Sequence, residues 1–502
     1  MHRSKGSTSD QSIRSASGTD FLQLTVDDAP AGELSAWLAR RLRLAISDGR
    51  LPVGSKLPAT RTLAAELRVS RGVVTEAYQR LTEDGHVAGH GRAGTIVVAA
   101  PVTAPTSRTS HTSRAPLAPA GSPPATPFTR EPGSDAFDAV RAAPARIDLT
   151  PGVPDLASFP RAAWLRAERA VLGSAAPTEF GYGDPRGAPA LRLAVANWLA
   201  RNRGVMVRPD QVLVVAGTAQ TLGLLAQVLR QEGISEIAVE DPGSLGARQH
   251  LQHWRMRTPP VAVDSRGISV DELHACGAPA VLVTPAHQFP TGVVLDGERR
   301  RELMRWADGG GLIIEDDYDA EHRYDRPPVA ALRSMLAERV CYAGSISKLL
   351  APALRVGWVV APPRYHEALV DAKRFTDLGN AVLPQLALAR LMDSGEMERR
   401  LRHMRRRHRM RRDAMMKAIE EHLPGAAVRG AAAGLHLTIT FDAAFADTDL
   451  ATAALGHGVK VQPLSWHSLR PYAPGLVLGY AASTPTDIGE GIAAIGTALR
   501  DL

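Results

Sequence analysis

The segment YAGSISKLLAPALRVGWVV, Tyr342–Val360, has one lysine between serines, an arginine seven positions later, and then a continuous apolar run. That run is one of six in the second part of the chain, at residues 211–217, 236–241, 280–285, 311–317, 339–344 and 355–362. The runs are continuous rather than alternating, which is typical of strands covered on both faces. Helical patterns separate them, so the sequence predicts an α/β fold with a largely parallel sheet.

The length and charge of the chain indicate more than one domain and allow a nucleic-acid partner. A chain of 502 residues is too long for a single core. The net charge is +7 and the sequence pI is about 9.6. Residues 30–100 alone hold ten Lys or Arg against six Asp or Glu. This surplus is compatible with nucleic acid as a partner of that part.

The composition also indicates the compartment. No stretch holds the roughly 20 apolar residues that a membrane span needs. The N-terminal residues MHRSKGSTSDQSIRS have no apolar core of the kind found in a secretory signal. Cys276 and Cys341 are the only cysteines, so a disulfide framework is excluded. We therefore expect a cytoplasmic protein without a membrane partner.

Four parts are predicted along the chain. Residues 1–29 are polar and are predicted to be a flexible N-terminal segment, whereas residues 30–100 have helical patterns separated by turns. Residues 101–146 are rich in Ala, Pro, Ser and Thr and predict a linker, because such a segment cannot bury enough apolar surface to fold. A flexible linker of roughly 40 residues spans about 35 Å. Residues 147–502 form the predicted α/β domain.

The helical patterns of residues 30–100 predict a small three-helix module. ELSAWLARRLRLAISDG places Leu34, Trp37, Leu38, Leu42, Ala45 and Ile46 on one helical face. Two shorter helices follow around a tight turn, with Leu63, Ala64 and Leu67 inward from the first and Val74, Ala77, Tyr78 and Leu81 inward from the second. HVAGHGRAGTIVV then predicts a hairpin. The whole predicts a winged helix-turn-helix.

The pattern of the second short helix predicts which residues face outward. Ser70, Arg71 and Thr75 lie near its start, the position from which a recognition helix presents side chains to base edges. His90 and Arg92 lie in the Gly-rich tip of the hairpin. We expect double-stranded DNA to bind against these residues.

The segment around Lys348 has the residues that a pyridoxal phosphate site requires. The amine of Lys348 is available to the cofactor aldehyde. The ring nitrogen needs a carboxylate to hold it protonated, and Asp316 ends the apolar run 311–317. Tyr318, two residues later, points the same way and can bond the ring hydroxyl. These residues predict a cofactor pocket at one edge of the sheet.

A phosphate group needs hydroxyls, a cation and free backbone N–H groups. Ser345, Ser347 and Arg355 flank Lys348 and suit the phosphate. VVAGTAQTLGLLAQVL predicts a strand, a glycine turn and a helix, which places Thr218 and Ala219 at a helix N-terminus. We expect the phosphate to bind there.

The module resembles the DNA-binding domain of the GntR family over about 70 residues. The stretch LPVGSKLPATRTLAAELRVSRGVVTEAYQRLTEDGHVAGHGRAGTIV carries the resemblance. It implies Arg61, Arg71 and Thr75 as operator contacts, with His90 and Arg92 on the wing. Arg61 and Arg71 suit bidentate contacts to guanine or phosphate.

The rest of the chain resembles fold-type I aminotransferases, and the whole resembles the MocR/GabR subfamily of GntR regulators. YGDPRGAPALRLAVANWL, TPAHQFPTG, IIEDDYDAEHRY, SISKLLAPALRVGW and GAAAGLHL carry this resemblance. It implies Lys348 as the Schiff-base lysine and Asp316 at the pyridine nitrogen. It also implies Tyr318 at the ring hydroxyl and Arg355 at the phosphate.

The same resemblance implies a head-to-tail homodimer with two winged helices. Tyr182 is then expected to reach the phosphate in the partner subunit, and His287 to line the pocket.

Two positions depart from the pattern of working aminotransferases. Ser244 stands where relatives often carry a tyrosine that packs on the cofactor ring. Val477 stands where an arginine holds the substrate carboxylate in a productive orientation. Valine has no such capacity, although an arginine from another segment is an alternative. This departure favours sensing over transamination.

The segment ERRLRHMRRRHRMRRD holds nine arginines between Arg399 and Arg412. One interpretation is contact with DNA phosphates. The other, which we favour, is a solvated or subunit-facing helix.

Three functions remain open. The first, which the sequence favours, is a transcriptional regulator whose non-catalytic aminotransferase-like domain senses pyridoxal phosphate or an amine or amino acid that reacts with it, with control of vitamin B6 synthesis as one role. The second is a true aminotransferase with an appended DNA-binding domain. The third is a DNA-binding protein whose large domain only dimerises it.

Overall fold

A computed structural model of the chain describes residues 33–89, 94–98, 131–324 and 329–502, with a few isolated positions before residue 33 and at 127–128. It divides into two compact units, residues 1–105 and 106–502. His90 and Arg92 lie outside the described residues, as do most of the predicted linker and nearly all of the N-terminal segment. No described helix has the length and apolarity that crossing a membrane requires.

The small unit consists of three helices and a two-stranded hairpin. These are α1 (Leu34–Ser47), α2 (Thr60–Leu67), α3 (Arg71–Glu83), β1 (Val87–Gly89) and β2 (Thr95–Val97). β1 and β2 pair antiparallel. The turn between α2 and α3 includes Arg68 in the left-handed region, with φ of 55°. Ser70 caps α3 by accepting a hydrogen bond from the backbone N–H of Val73.

The predicted inward faces form the core of this unit. Trp37, Leu38 and Leu42 of α1 are buried against the inward residues of the other two helices, which are Leu63, Ala64, Val74, Ala77, Tyr78 and Leu81. Leu67 is only partly buried at its edge, and Leu34, also predicted to face inward, is partly exposed and lies outside this cluster. These helices and the hairpin confirm the predicted winged helix-turn-helix. The prediction succeeded because each amphipathic helix has only one apolar face to bury.

The large unit contains a further twelve helices and fourteen strands in its described residues. The helices are α4 (Ala136–Ala142), α5 (Arg161–Ser174), α6 (Pro189–Arg203), α7 (Thr218–Gln231), α8 (Leu245–His253), α9 (Val270–Cys276), α10 (Gly297–Asp308), α11 (Pro363–Asp377), α12 (Val382–Asp393), α13 (Glu396–His422), α14 (Asp447–Gly456) and α15 (Pro485–Arg500). The strands are β3 (Ile147–Asp148), β4 (Leu213–Val215), β5 (Ala238–Asp241), β6 (Pro260–Asp264), β7 (Gly267–Ile268), β8 (Ala280–Val283), β9 (Leu312–Asp317), β10 (Val340–Ser345), β11 (Gly357–Val360), β12 (Ala427–Arg429), β13 (His436–Thr440), β14 (Val459–Lys460), β15 (Gln462–Pro463) and β16 (Gly475–Gly479).

The six predicted apolar runs all lie in one eight-stranded sheet of order β4-β11-β10-β9-β8-β5-β6-β7. The pairs from β10 through β9, β8 and β5 to β6 are parallel. β11 runs antiparallel to both β10 and β4. The predicted α/β fold with a largely parallel sheet is confirmed. The register pairs Ala343 with Asp316, so the C-terminal ends of β9 and β10 lie at the same edge.

A second, four-stranded sheet of order β12-β13-β16-β15 lies near the end of the chain. Its strands pack with α13, α14 and α15 around a separate apolar cluster that includes Ile439 and Leu478. The short β-runs and the helical segments between them gave little sequence signal, so this sheet was not predicted.

The predicted linker ends too late. Residues 136–142 form α4, and Ala136 and Val140 are buried in the apolar cluster of the second sheet. Phe128 is also buried there. The prediction was wrong here because α4 is short and buries only Ala136 and Val140 as small apolar residues. A segment with so few apolar residues cannot be distinguished by composition from an unfolded linker. The segment that can act as a linker therefore ends before Phe128.

Candidate cofactor pocket and DNA-binding surface

Residues from four separate segments meet at the C-terminal edge of the main sheet. Asp316 is the penultimate residue of β9, and its carboxylate accepts a hydrogen bond of 3.2 Å from the hydroxyl of Thr218, the first residue of α7. Lys348 follows β10, and its amine donates to the carbonyl oxygen of Gly152. A Cβ on Gly152 would lie 3.2 Å from that amine, so a side chain here would crowd it. Gly152 was not predicted as a pocket residue, since its position depends on a distant loop.

The electrostatics of Asp316 and Lys348 depend on their burial. Burial raises the pKa of Asp316 to about 7, and Asp317 and Asp319 add to the rise while Thr218 and Lys348 oppose it. Burial lowers the pKa of the Lys348 amine, against the opposing effect of Asp319 and Asp316. Asp316 therefore lacks a strong cationic partner within the described chain, and Lys348 is biased towards its neutral, nucleophilic form.

Arg355 and the start of α7 form the other end of the pocket. A Cβ added at Gly217 would lie 3.7 Å from Nη1 of Arg355, so the guanidinium lies beside this turn. Gly217 has φ of 97°, a left-handed conformation that favours glycine. The guanidinium has no hydrogen-bond or ion-pair partner among the described residues. With the free N–H groups of Thr218 and Ala219, it suits an oxyanion.

The serines of the 342–360 segment bond each other in the structure. The hydroxyl of Ser345 donates to that of Ser347 at 2.8 Å, and the backbone N–H of Ser347 donates to Ser345 Oγ at 2.9 Å. These bonds fix the turn between β10 and Lys348, so the two serines at least position the lysine.

A chain of hydrogen bonds lies beside Tyr318. Its hydroxyl donates to the carbonyl of His287 at 3.0 Å, and His287 Nδ1 lies 2.9 Å from Asp319 Oδ2. Burial raises the pKa of Tyr318 well above its usual value, so the phenol stays protonated. The His436 ring lies 4.9 Å from that of His287. Asp319 and His436 were missed; the DDYD sequence contained a signal for the first, but none marked the second, which comes from the second sheet.

Tyr182 lies on the surface of the large unit and is 97% exposed. The structure does not bring it to the other predicted pocket residues within this chain. Its exposure is what a residue contributed to another subunit would show.

The two departures have definite structural places. The Ser244 hydroxyl caps α8 by accepting a hydrogen bond of 3.2 Å from the backbone N–H of Ala247. Val477 is fully buried in β16, paired with Thr438 and Gln462. The position of the missing arginine is thus filled by an aliphatic side chain of the sheet core.

The predicted DNA contacts that the structure describes share the surface of α2 and α3. Arg61, Ser70, Arg71 and Thr75 are all exposed. Within the part of the chain that the structure describes, Arg61 and Arg71 have no ion-pair partner. A free guanidinium at the start of an exposed helix is available to a base edge or a phosphate.

The arginine-rich segment is part of the long helix α13. Seven of its nine arginines bond groups within the large unit. Arg407 and Arg411, for example, both lie 3.0 Å from the buried carboxylate of Asp155. Arg402 and Arg406 are exposed and lack a partner among the described residues. Most of this charge therefore bonds groups of the large unit rather than being solvated, and a subunit-facing role for the helix stays a prediction.

Two family models match the chain, one for each unit. Residues 34–97 match the model for bacterial regulatory proteins of the gntR family. Residues 145–495 match the model for aminotransferase class I and II.

Two curated relatives match across both parts. The probable rhizopine catabolism regulatory protein MocR of Rhizobium meliloti is 33% identical and covers 93% of each chain. The pyridoxine biosynthesis transcriptional regulator PdxR of Corynebacterium glutamicum is 30% identical, covering 85% of this chain and 87% of its own.

Solved structures resemble the large unit. Kynurenine aminotransferase of Pyrococcus horikoshii, in complex with PMP, matches with a TM-score of 0.67 and 26% identity over 73% of this chain and 93% of its own. The α-aminoadipate aminotransferase LysN of Thermus thermophilus, complexed with N-(5'-phosphopyridoxyl)-L-leucine, matches with a TM-score of 0.66 and 26% identity over 73% of this chain and 94% of its own.

The fold and the pocket define a DNA-binding transcriptional regulator with an aminotransferase-like domain whose cofactor is pyridoxal phosphate. The Asp316 carboxyl, which has no ion pair among the described residues, the buried Lys348 amine and the Arg355 guanidinium fit the ring nitrogen, the aldehyde and the phosphate of that cofactor. The chain belongs to the GntR family of bacterial regulators, in the MocR/GabR subfamily, where an aminotransferase class I and II domain follows the winged helix.

Proposed function

We propose that this regulator senses pyridoxal phosphate through its large unit and changes its affinity for operator DNA in response. The winged helix contacts the operator through Arg61 on α2 and through Arg71 and Thr75 on α3, the proposed recognition helix. Ser70 lies beside them and caps α3. His90 and Arg92 are proposed wing contacts. The single observation that carries the proposal is that one chain has exposed arginines on α2 and α3, without ion pairs among the described residues, and also brings Lys348, Asp316 and Arg355 to one edge of its main sheet.

Each pocket residue has a distinct proposed role in holding the cofactor. Lys348 would hold the cofactor through its aldehyde, and burial, which lowers the pKa of the amine, favours the neutral form that this attachment needs. Asp316 bonds the ring nitrogen and gains the cation that it lacks. The Tyr318 oxygen would bond the ring hydroxyl, while His287, whose carbonyl accepts from Tyr318, would hold the phenol in place and line the pocket.

The phosphate is held at the other end of the pocket. Arg355 supplies the cation, while Thr218 and Ala219 supply N–H groups at the start of α7. Ser345 and Ser347 add hydroxyls next to Lys348. When bound, the cofactor supplies an aldehyde that reacts with primary amines and a ring that accepts electrons.

The place of Val477 favours sensing over transamination. An amino-acid substrate needs its carboxylate fixed to align the bond that reacts. In the described chain, β16 offers an apolar side chain at this position. We therefore propose that turnover of amino acids is weak or absent.

Pyridoxal phosphate itself is the effector that we favour. A relative of 30% identity is named for regulation of pyridoxine biosynthesis, and control of vitamin B6 synthesis is the corresponding proposal here. An amine or amino acid that reacts with the bound aldehyde is the second candidate effector. This second effector would use the same cofactor pocket, but the protein would also need groups beside the cofactor that bind the rest of the amine or the carboxylate of the amino acid.

The assembly that we propose is a head-to-tail homodimer. Tyr182 is 97% and Phe375 is 87% exposed, and Gly379 packs against Pro185, so the segments that contain these aromatics are neighbours. Large apolar side chains that are this exposed on neighbouring segments are typical of an interaction surface. In the dimer, Tyr182 reaches the phosphate of the partner subunit.

The alternative function is a genuine aminotransferase with an appended DNA-binding domain. The intact pocket and the likeness to solved aminotransferases favour it. One experiment separates the two functions. A mobility-shift titration with DNA upstream of the chain's own gene, with and without pyridoxal phosphate, is run beside a transamination assay with a panel of amino acids. A cofactor-dependent shift without turnover supports sensing, whereas turnover without any shift supports the alternative.

A further inference from the structure

A second cavity, of about 700 Å³, lies in the large unit and has no lining residue in common with the cofactor pocket. It is bounded by α8 on one side and residues 465–469 on the other, and Phe128 and residues 131–132 close it. A volume of this size suits a small-molecule ligand.

The cavity has an aromatic wall. Trp466 is only 3% exposed, and its ring centroid lies 5.4 Å from that of Phe128. Leu245, at the start of α8, adds a buried aliphatic side chain. These side chains offer an apolar surface to the body of a ligand.

The polar groups of the cavity are incompletely satisfied. Arg248 is 6% exposed, and its guanidinium donates to the backbone carbonyl of Trp466 at 3.1 Å. It forms no ion pair with any described residue, and burial lowers its pKa. The indole N–H of Trp466 and the hydroxyl of Ser468 have no hydrogen-bond partner in the described chain. A buried cation without an ion pair and two buried polar groups without hydrogen-bond partners are costly, and an anionic acceptor would interact with all three.

We infer that this cavity binds a small monocarboxylate with an apolar body. The carboxylate bonds Arg248 and the indole N–H of Trp466, and the apolar body packs on Phe128 and Trp466. Arg248 is the one cationic group among the described lining residues, and the exposed carboxylate of Glu131 lies at the rim. This single positive charge beside a negative one favours a monoanion over a phosphate or a dicarboxylate.

A ligand in this cavity would contact Phe128, Glu131 and Pro132, which are among the first described residues of the large unit. The Gln249 side-chain amide, on α8, donates to the carbonyls of Pro132 and Gly133 at 3.0 and 2.8 Å. These residues come directly after the segment that leads, along the chain, from the DNA-binding unit. A ligand between Arg248 and Phe128 would therefore restrain the backbone at Phe128 and at residues 131–133.

The test uses 3-phenylpropionate, which has no amine and so does not react with the cofactor aldehyde. Calorimetric titration of the full chain loaded with pyridoxal phosphate should show one bound molecule per chain. Phenethylamine, which has no carboxylate, should not bind. Phenylalanine, added to the Lys348→Ala protein, tests whether an ammonium group beside Glu131 strengthens binding. 3-Phenylpropionate should bind the Lys348→Ala protein as it binds the wild type.

Arg248→Met should weaken binding of 3-phenylpropionate roughly tenfold or more, because a charged hydrogen bond is lost. Trp466→Phe should weaken it less. Arg257→Met is the matched control, since Arg257 is exposed, pairs with Glu236 and lies outside the cavity. Equal binding by Arg248→Met and wild type, or no binding by wild type at millimolar concentration, overturns the inference.

A second measurement does not depend on the folding of any variant. Hydrogen exchange of the wild-type backbone at Phe128 and at residues 131–133 should slow when 3-phenylpropionate is bound. Unchanged exchange there, with binding shown by calorimetry, would place the ligand elsewhere and also overturn the inference.

Discussion

The hydroxyl of Thr218 donates a hydrogen bond of 3.2 Å to Asp316, although the two residues are 98 positions apart. The bond joins the start of α7 to the end of β9. It therefore links the proposed phosphate-binding end of the pocket to the carboxylate proposed for the ring nitrogen. Both ends of the cofactor are then held by rigid elements rather than by loops alone.

Lys348→Ala should abolish covalent attachment of pyridoxal phosphate while the fold survives, because one pocket side chain is lost and the core is unchanged. Borohydride treatment followed by peptide mass spectrometry should find the cofactor on Lys348 in the wild type and nowhere in the variant. Lys417→Ala is the control, since Lys417 is exposed on α13 and pairs with Glu421. A cofactor-modified peptide in the Lys348→Ala protein would remove Lys348 from this role.

Asp316 should make the cofactor-free protein less stable as the pH rises. Its pKa is about 7 in the folded chain against an ordinary value of 3.8. Between these values the native state holds a proton that the unfolded state has released, so the free energy of unfolding falls as the pH rises. Relative to Asp316→Asn, wild type should lose up to about 2 kcal/mol between pH 5 and 7.

Denaturant unfolding of both cofactor-free proteins across that pH range measures the difference. Bound pyridoxal phosphate should reduce this pH dependence of the free energy of unfolding, because a protonated ring nitrogen stabilises the Asp316 carboxylate. The variant Asp308→Asn, at an exposed site on α10, should follow wild type. A wild-type curve parallel to that of Asp316→Asn would show that Asp316 does not titrate in this window.

Arg71→Ala should weaken operator binding by about 1–3 kcal/mol if Arg71 reads a base edge. Fluorescence anisotropy with an operator duplex measures the loss, and cofactor occupancy should stay unchanged. Arg80→Ala is a matched control on the same helix, because Arg80 pairs with Glu76 at 2.7 Å. Normal DNA binding by Arg71→Ala would mean that the recognition surface lies elsewhere.

Cofactor binding should change the preferred spacing of two half-sites more than it changes contact with one half-site. A ligand shifts DNA binding only through unequal affinity for two arrangements of the particle. A dimer with two winged helices needs two half-sites at a matching separation. Titration of single and paired half-site duplexes with cofactor-free and loaded protein measures this. Equal responses of single and paired sites would point instead to masking of the recognition helix.

Asp155→Ala should destabilise the large unit by about 3–5 kcal/mol, because it removes a buried carboxylate that lies 3.0 Å from both Arg407 and Arg411. Thermal unfolding followed by circular dichroism measures the change. Asp413→Ala, which removes an exposed partner of Arg412, should cost well under 1 kcal/mol. Similar losses in the two variants would mean that the arginines of α13 contribute little to the fold.

Much of the pocket was predictable because its residues lie at the ends of regular elements. Asp316 and Lys348 each follow a continuous apolar run, and parallel strands bring such ends to one edge. His436 was not predictable, since its contact with His287 joins strands of two different sheets. The late end predicted for the linker has a similar cause: Ala136 and Val140 are buried only because distant strands cover them.

The sequence alone determined the two domain types and the largely parallel sheet, and it predicted the lysine pocket, because hydrophobic period and local motif depend on neighbours along the chain. Only the tertiary structure decided that Arg355 lies beside Gly217, that most arginines of α13 bond the large unit, and that Arg248 is buried without an ion pair. Each of these is a contact between residues far apart in the chain. The sequence does not show whether a charged side chain is solvated or bonds another residue of the folded chain. That depends on whether the tertiary structure buries it.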